Sequence, residues 1–139
     1  MTDEGKVQVS LLIIRVTVAA FFLVWSIEKI VKPEVIQRVF SRFYFLEITP
    51  GVSIVLGIIQ TVIILAFLAG IFKLWTYGAV LGMHTVSVLS TYQELLNPYE
   101  LPNHLFWAAV PALGAIIALF ILRKSDRLCT LKFISKSEL

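Results

Sequence analysis

Four long apolar runs are the feature that most constrains the fold of this chain. About 20 consecutive apolar residues allow an α-helix to cross the hydrocarbon core of a bilayer, at roughly 1.5 Å per residue. The runs lie at about residues 9–31, 52–72, 75–92 and 105–122. They lack the alternation of barrel strands. They therefore predict one all-α transmembrane domain over residues 1–139, an integral membrane four-helix bundle.

The composition argues against several classes of protein. The 139 residues are 58% hydrophobic and 15% charged, which leaves little chain for a soluble catalytic module. The basic residues cluster at the ends of the apolar runs, as membrane topology requires, so no nucleic-acid partner is expected. A single cysteine, Cys129, excludes an internal disulfide and a thiolate metal cluster. No metal site is expected at the two histidines, because His84 and His104 fall at different depths.

Lysines and arginines set the orientation of the spans. An even number of spans places both termini on one side, and that side holds seven basic residues: Lys6, Lys73, Arg123, Lys124, Arg127, Lys132 and Lys136. The first connection on the opposite side holds four, and the second holds none. The positive-inside rule thus predicts cytoplasmic termini, the orientation expected of a multi-pass protein in the bacterial inner membrane. Both termini and a tail over residues 123–139 would be cytoplasmic.

The connection between spans 1 and 2 has its own helical pattern. Over residues 34–46, apolar side chains recur on one face and polar ones on the other, after Pro33 at the helix start. We expect an amphipathic helix in the membrane interface, acting as a lid packed on the bundle or as a docking surface for a partner subunit. Five side chains are expected to contact the membrane interface: Arg38, Arg42, Trp107, Arg123 and Lys124.

Polar residues within the spans are the candidate binding site. Arg15, Gln60 and His84 fall inside apolar runs, where ionisable or polar side chains are costly. They are expected to meet in a pocket for a quinone head group, with His84 donating to a carbonyl and Arg15 polarising it. Pro111 in the fourth span frees the carbonyl of Trp107, which then needs a donor.

A plainer interpretation of the same residues stays open. Arg15 is shallow enough for its guanidinium to reach lipid phosphates. Gln60 and His84 would then join helices by hydrogen bonds, with small residues such as Gly57 allowing close approach. A proton relay through His84 is a third possibility.

Two segments resemble a known family. "IIRVTVAAFFLVWSIEKI" is similar to the first span of the DoxX-like membrane proteins, where an arginine opens the span and glycine-x-x-lysine follows. Arg15 and Lys29 match, and Ser26 stands at the glycine position. "VSIVLGIIQTVIILAFLAG" is similar to their second span, in which leucine-glycine-x-x-glutamate precedes an apolar stretch that ends in glycine. Gly57 and Gly70 match there.

The resemblance implies a small four-helix subunit linked to a redox system. Some members of the family belong to thiosulfate:quinone oxidoreductase, and others associate with oxidative-stress enzymes at the membrane. In this chain Gln60 occupies the family's acidic position. A glutamine can hydrogen-bond a quinone head group, but it cannot carry a proton.

Together these patterns predict a DoxX-like accessory subunit of a larger membrane complex, redox- or quinone-linked. Its partners would be the lipid bilayer and other membrane subunits, and quinone is the one candidate cofactor. The alternative is a stand-alone carrier or channel whose pore is the polar cluster. An enzyme acting alone comes third, because no paired carboxylates, serine–histidine–acid set or phosphate loop is visible. We therefore expect no catalytic activity of the chain on its own.

Overall fold

A computed structural model describes residues 1–131 as an all-helical protein. Helix makes up 78% of the structure, and no strand occurs within the described residues. The α-helices, in chain order, are α1 (Asp3–Val31), α2 (Pro33–Val39), α3 (Pro50–Leu68), α4 (Lys73–Ser90), α5 (Tyr92–Leu96) and α6 (Ala109–Ile121). A π-helical turn, Phe40–Tyr44, follows α2, and a 3-10 helix, Asn103–Ala108, leads into α6.

Three helical segments are long and apolar enough to cross a membrane. They are Asp3–Val31, Pro50–Leu68 and Asn103–Ile121, and their most apolar stretches have mean hydropathies of 2.3, 2.5 and 2.1. The all-α class predicted from the sequence is confirmed, and these three segments are compatible with a membrane protein. The fourth predicted run forms α4, whose 18 residues are long enough but less apolar because the helix contains polar side chains.

Capping residues explain why the helix bounds differ from the apolar runs. α1 begins at Asp3, well before the predicted run, because the Thr2 hydroxyl accepts a hydrogen bond from the Gly5 amide at 3.1 Å. Acidic residues in its first turn suit the positive end of the helix dipole. Thr49 caps α3 in the same way, and Pro50 occupies the first helical position. Apolarity marks the membrane-crossing part of a helix, whereas caps mark its ends.

The interior of the bundle is filled by residues at helical spacing on each long helix. α1 packs most extensively on α3, and α4 packs on α6. The buried apolar cluster draws on all four helices and consists of Leu11, Val18, Ala19, Phe22, Ile64, Phe67, Tyr77, Val80, Ile116 and Leu119. This core is continuous across the bundle, so the long helices hold one another through their own side chains.

The first connection is helical from Pro33 to Tyr44, close to the helix predicted over residues 34–46. α2 ends at Val39, the π-helical turn follows, and Phe45 takes a left-handed backbone conformation. α2 contacts α1 and α3, and its Ile36 side chain is fully buried. The amide of Gln37 donates to the Ile48 carbonyl at 2.8 Å, which ties the connection to itself. These contacts are those of a lid packed on the bundle.

Residues 122–131, here called the strap, fold back over one end of the bundle. The Gln8 side chain accepts hydrogen bonds from the amides of Arg127 and Leu128 at 2.9 and 3.0 Å, and it donates to the Ser125 carbonyl. The Leu131 amide donates to the Ala69 carbonyl at 3.1 Å. The strap therefore packs on α1 and on the turn between α3 and α4. The remainder of the predicted tail, with Lys132 and Lys136, lies outside the described residues.

Gly70 is required where the strap meets that turn. Its φ of 68° is in the left-handed region that favours glycine. A Cβ added there would lie 2.5 Å from Thr130 Cγ2. The strap therefore packs so closely on the turn that there is no room for a side chain at this position.

Candidate functional site

Arg15 lies in a buried ionic cluster with Tyr77 and Asp126. The residue shares the inward face of α1 with Leu11 and Val18, and its side chain is only 1% exposed. Arg15 Nη1 lies 2.8 Å from Asp126 Oδ2, and the Tyr77 hydroxyl donates to the same oxygen at 2.7 Å. The Asp126 side chain is fully buried. The strap thus places the Asp126 carboxylate next to the Arg15 guanidinium inside the bundle.

Further donors surround the strap at this point. Arg15 Nη2 donates to the carbonyls of Leu128 and Cys129, at 2.6 and 3.2 Å. Lys73 Nζ donates to the Asp126 carbonyl at 2.5 Å. Lys73 opens α4 and Tyr77 lies one turn later, so α4 directs both groups to the strap. In such a low-dielectric setting, ion pairs are strong and unpaired charges are costly.

The cluster leaves two polar atoms unsatisfied. Arg15 Nε and Asp126 Oδ1 are the buried side-chain atoms without a hydrogen-bond partner in the part of the chain that the structure describes. The guanidinium and the carboxylate therefore meet through one oxygen and one nitrogen, not through the two parallel bonds that such pairs often form. Each unsatisfied buried group costs about 1–3 kcal/mol.

His84 is buried in a separate part of the interior. Its Nε2 lies 2.9 Å from the Ala109 carbonyl, and since a carbonyl only accepts, Nε2 carries the proton. The imidazole also meets the rings of Phe21 and Phe22 edge-on, with centroid separations of 5.8 and 6.0 Å. The helix-joining hydrogen bond of the plainer interpretation is present between α4 and α6. Its acceptor is Ala109, whereas the sequence pointed to the carbonyl of Trp107.

Gln60 has no side-chain hydrogen bond to another residue within positions 1–131 and is half-buried on α3. Its neighbour Thr61 makes the polar contact to α1 instead. The Thr61 hydroxyl lies 3.0 Å from the Ser26 hydroxyl and 2.7 Å from the Gly57 carbonyl. Ser53 adds a second contact by donating to the Lys29 carbonyl at 2.9 Å.

The structure gives Arg15, Gln60 and His84 different surroundings, and no hydrogen bond or ion pair joins them among the described residues. Arg15 does not reach toward lipid phosphates, because its guanidinium is buried against the strap. The partners of Arg15 were missed from the sequence. One signal points to Asp126: between Glu100 and Glu138 it is the only carboxylate, and a buried arginine needs one.

The residues expected at the membrane interface lie at both ends of the bundle. Arg38 and Lys124 are exposed. Trp107 is half exposed, and its indole donates to the Leu95 carbonyl at 3.1 Å. The Arg123 guanidinium stacks on the Phe120 ring at 4.5 Å.

Arg42 lies beside a shallow cavity at the end of the bundle opposite the strap. Its Nη2 is 3.6 Å from Glu94 Oε1, and the arginine side chain is largely exposed. The cavity has a volume of about 220 Å³ and is lined by Arg42, Phe43, Phe45, Ser90, Tyr92, Gln93 and Glu94. Its lining combines the Arg42–Glu94 pair with polar and aromatic side chains.

Comparison with protein-family models, with curated proteins and with solved structures finds no match to this chain. Among residues 1–131, no three histidine, cysteine, aspartate or glutamate side chains lie close enough together to hold a metal ion. The buried ionic cluster is the strongest concentration of charge inside the bundle.

Proposed function

We propose that the chain is a four-span protein of a bacterial inner membrane, with α4 as the fourth span and both termini in the cytoplasm. At about 1.5 Å per residue, the 18 residues of α4 extend roughly 27 Å, close to the hydrocarbon thickness. Its polar side chains Thr76, Tyr77 and His84 are buried, whereas Leu74 and Leu89 are exposed. An inward polar face supports a span whose average hydropathy is low.

The native cysteine tests this topology. Cys129 is exposed on the strap and is the only cysteine in the chain. A membrane-impermeant maleimide should label it in inverted vesicles but not in intact cells. The matched control moves the thiol to the other side, in a Cys129→Ser, Tyr99→Cys variant, because Tyr99 is 96% exposed. Labelling of Cys129 in intact cells would overturn the orientation.

The chain acts in this membrane as a small accessory subunit of a larger complex. One observation carries this part of the proposal: the interior is filled by the chain's own side chains. Ile64, Val80 and Ile116 are at most 2% exposed, and His84 and Arg15 bond to neighbouring elements of the same chain. A filled interior favours a protein that works through its outer surface over a carrier or channel.

The outer surface supports the same proposal. In the three most apolar helical segments, only 28%, 22% and 11% of the residues in the core stretch are buried. Many of the other apolar side chains are exposed, among them Val24, Val62 and Ile121, and these must face lipid or the helices of another protein. The link to redox chemistry rests on the DoxX-like resemblance, and quinone would then bind where this chain meets its partner.

The decisive experiment is purification of the tagged protein from its native membranes in mild detergent, with mass spectrometry of everything that co-elutes. An accessory subunit should elute with partner subunits in fixed stoichiometry. Photo-crosslinking residues then locate the contact with the partner. They are placed at one exposed apolar position on each long helix: Val24, Val62, Leu89 and Ile121.

Crosslinks to the partner should come from some of these positions, and lipid adducts from the others. A chain that elutes alone and crosslinks only to lipid at all four positions would contradict the subunit role. Solute flux through vesicles that contain the purified chain alone would favour the carrier instead.

A further inference from the structure

The buried ionic cluster has the make-up of an anion-binding site that is already occupied. Two cationic side chains and one hydroxyl converge on Asp126: Arg15 and Tyr77 on its carboxylate, and Lys73 on its carbonyl. Arg15 and Tyr77 belong to the bundle, but Asp126 belongs to the strap. Asp126 therefore reaches the site from the strap and not from one of the helices.

The fit of Asp126 in the site is incomplete. Arg15 Nε, fully buried, faces no acceptor, and Asp126 Oδ1 faces no donor. An anion with more acceptor oxygens, such as a phosphate monoester, could accept from both Nε and Nη1 of the guanidinium, which presents its donors as a planar fork. A carboxylate that turned both of its oxygens toward the guanidinium could also accept from Nε and Nη1. The bundle side of the site thus offers more donors than Asp126 uses.

The strap is held by contacts that can be exchanged. Arg127, Leu128 and Cys129 are exposed, and the strap's amides bond to Gln8 and Ala69. The strap also contains Arg123, Lys124 and Arg127. Basic residues near an anionic leaflet gain about 1 kcal/mol each. Attraction to lipid therefore opposes the contacts that hold the strap on the bundle.

We propose that Arg15, Tyr77 and Lys73 form a binding site for a phosphate or carboxylate group, which Asp126 occupies in this structure as a tethered ligand. An incoming anion displaces Asp126 and releases the strap. The anion is either the phosphate of a lipid in the adjoining leaflet or a soluble phosphate, because the same donors suit both. The proposal is independent of the accessory-subunit role and stands or falls on the isolated chain.

Removal of the tethered carboxylate tests the site directly. In an Asp126→Ala variant, Arg15 loses its counter-ion, so the unfolding temperature in detergent should fall. Added acetate or inorganic phosphate should restore it by several degrees, with a rise that follows the logarithm of anion concentration. Equimolar chloride controls for ionic strength, and the wild-type protein should show a much smaller response.

The matched control removes the proposed donor. In an Arg15→Gln, Asp126→Ala variant, rescue by acetate and phosphate should disappear. Rescue that persists in this double variant, or that is absent in Asp126→Ala, would overturn the site. Both variants retain the rest of the core, and circular dichroism verifies that they remain helical.

A second measurement uses the wild-type chain and needs no variant to fold. The amides of Arg127, Leu128 and Leu131 are hydrogen-bonded to the bundle, so hydrogen exchange should be slow at these positions. In phosphatidylcholine nanodiscs, exchange should accelerate there when phosphatidic acid is included or when inorganic phosphate is added. The addition that accelerates exchange, phosphatidic acid or inorganic phosphate, identifies the source of the phosphate. If neither addition changes the protection, Asp126 holds the strap permanently and the proposal is overturned.

Discussion

Gly57 provides the sharpest test of how α1 and α3 hold together. A Cβ added at this position would lie 2.7 Å from Ile30 Cγ1, 2.8 Å from Lys29 Cβ and 2.8 Å from the Ser26 carbonyl oxygen. Real Cβ atoms do not approach so closely, and the backbone oxygen cannot rotate away. Gly57→Ala must therefore push the two helices apart, which typically costs about 1–3 kcal/mol.

The matched control is Gly82→Ala on α4. An added Cβ at Gly82 meets nothing within 4 Å. Both substitutions replace glycine by alanine within a helix, a change of about 1 kcal/mol in intrinsic propensity. Because this contribution is common to both variants, the difference between them isolates the steric cost at Gly57.

Equilibrium unfolding in mixed micelles, followed by tryptophan fluorescence, measures the two free energies. We expect Gly57→Ala to be less stable than Gly82→Ala by about 1–3 kcal/mol, which is about five- to 150-fold in the folding equilibrium. Equal stability of the two variants would refute the close approach of α1 and α3 at this glycine.

Three further substitutions test polar contacts with the same unfolding assay. His84→Ala should destabilise the protein by about 1–3 kcal/mol, since it removes the donor to α6, and His84→Gln should recover part of the loss; equal values for the two would show that packing alone matters. Tyr77→Phe should cost about 1.5–3 kcal/mol, because the hydroxyl bonds to the charged Asp126; wild-type stability would mean that this bond contributes nothing net. Thr61→Val should cost only about 0.6 kcal/mol, typical of hydroxyl contacts between membrane helices, and a loss above 2 kcal/mol would contradict that role for the Ser26 contact.

Apolar runs predicted each long helix because most of the inward and outward positions of these helices are apolar. The helices differ from the apolar runs by a few residues where polar residues extend a helix, as at Asp3, or where the backbone turns, as at Gly70. Helix ends depend on capping hydrogen bonds, which hydropathy does not measure. The helix in the first connection ends at Tyr44, where Phe45 takes a left-handed conformation, and this end likewise has no hydropathy signal.

The polar residues were harder to place because depth alone does not fix which face of a helix they occupy. Gln60 and Thr61 are adjacent on α3, and both lie near its buried face, yet Thr61 makes the contact to α1. His84 found an acceptor on α6, as the plainer interpretation required. The carboxylate that pairs with Arg15 comes from a segment that the sequence predicts to be a cytoplasmic tail. Only the folded structure shows that Asp126 is buried.

The pairing of Arg15 with the strap also constrains how the protein is made. α1 is synthesised long before the strap, since Asp126 lies 111 residues after Arg15. At about 5–20 residues per second, the arginine waits roughly 6–22 s for its carboxylate. During that interval the nascent chain carries an uncompensated charge that quality-control proteases can recognise. A chain that ends at Leu122 would keep that charge permanently, and pulse-chase labelling should show it degraded faster than the full-length protein; equal lifetimes would argue against this. Closure of the strap would then mark the new protein as folded.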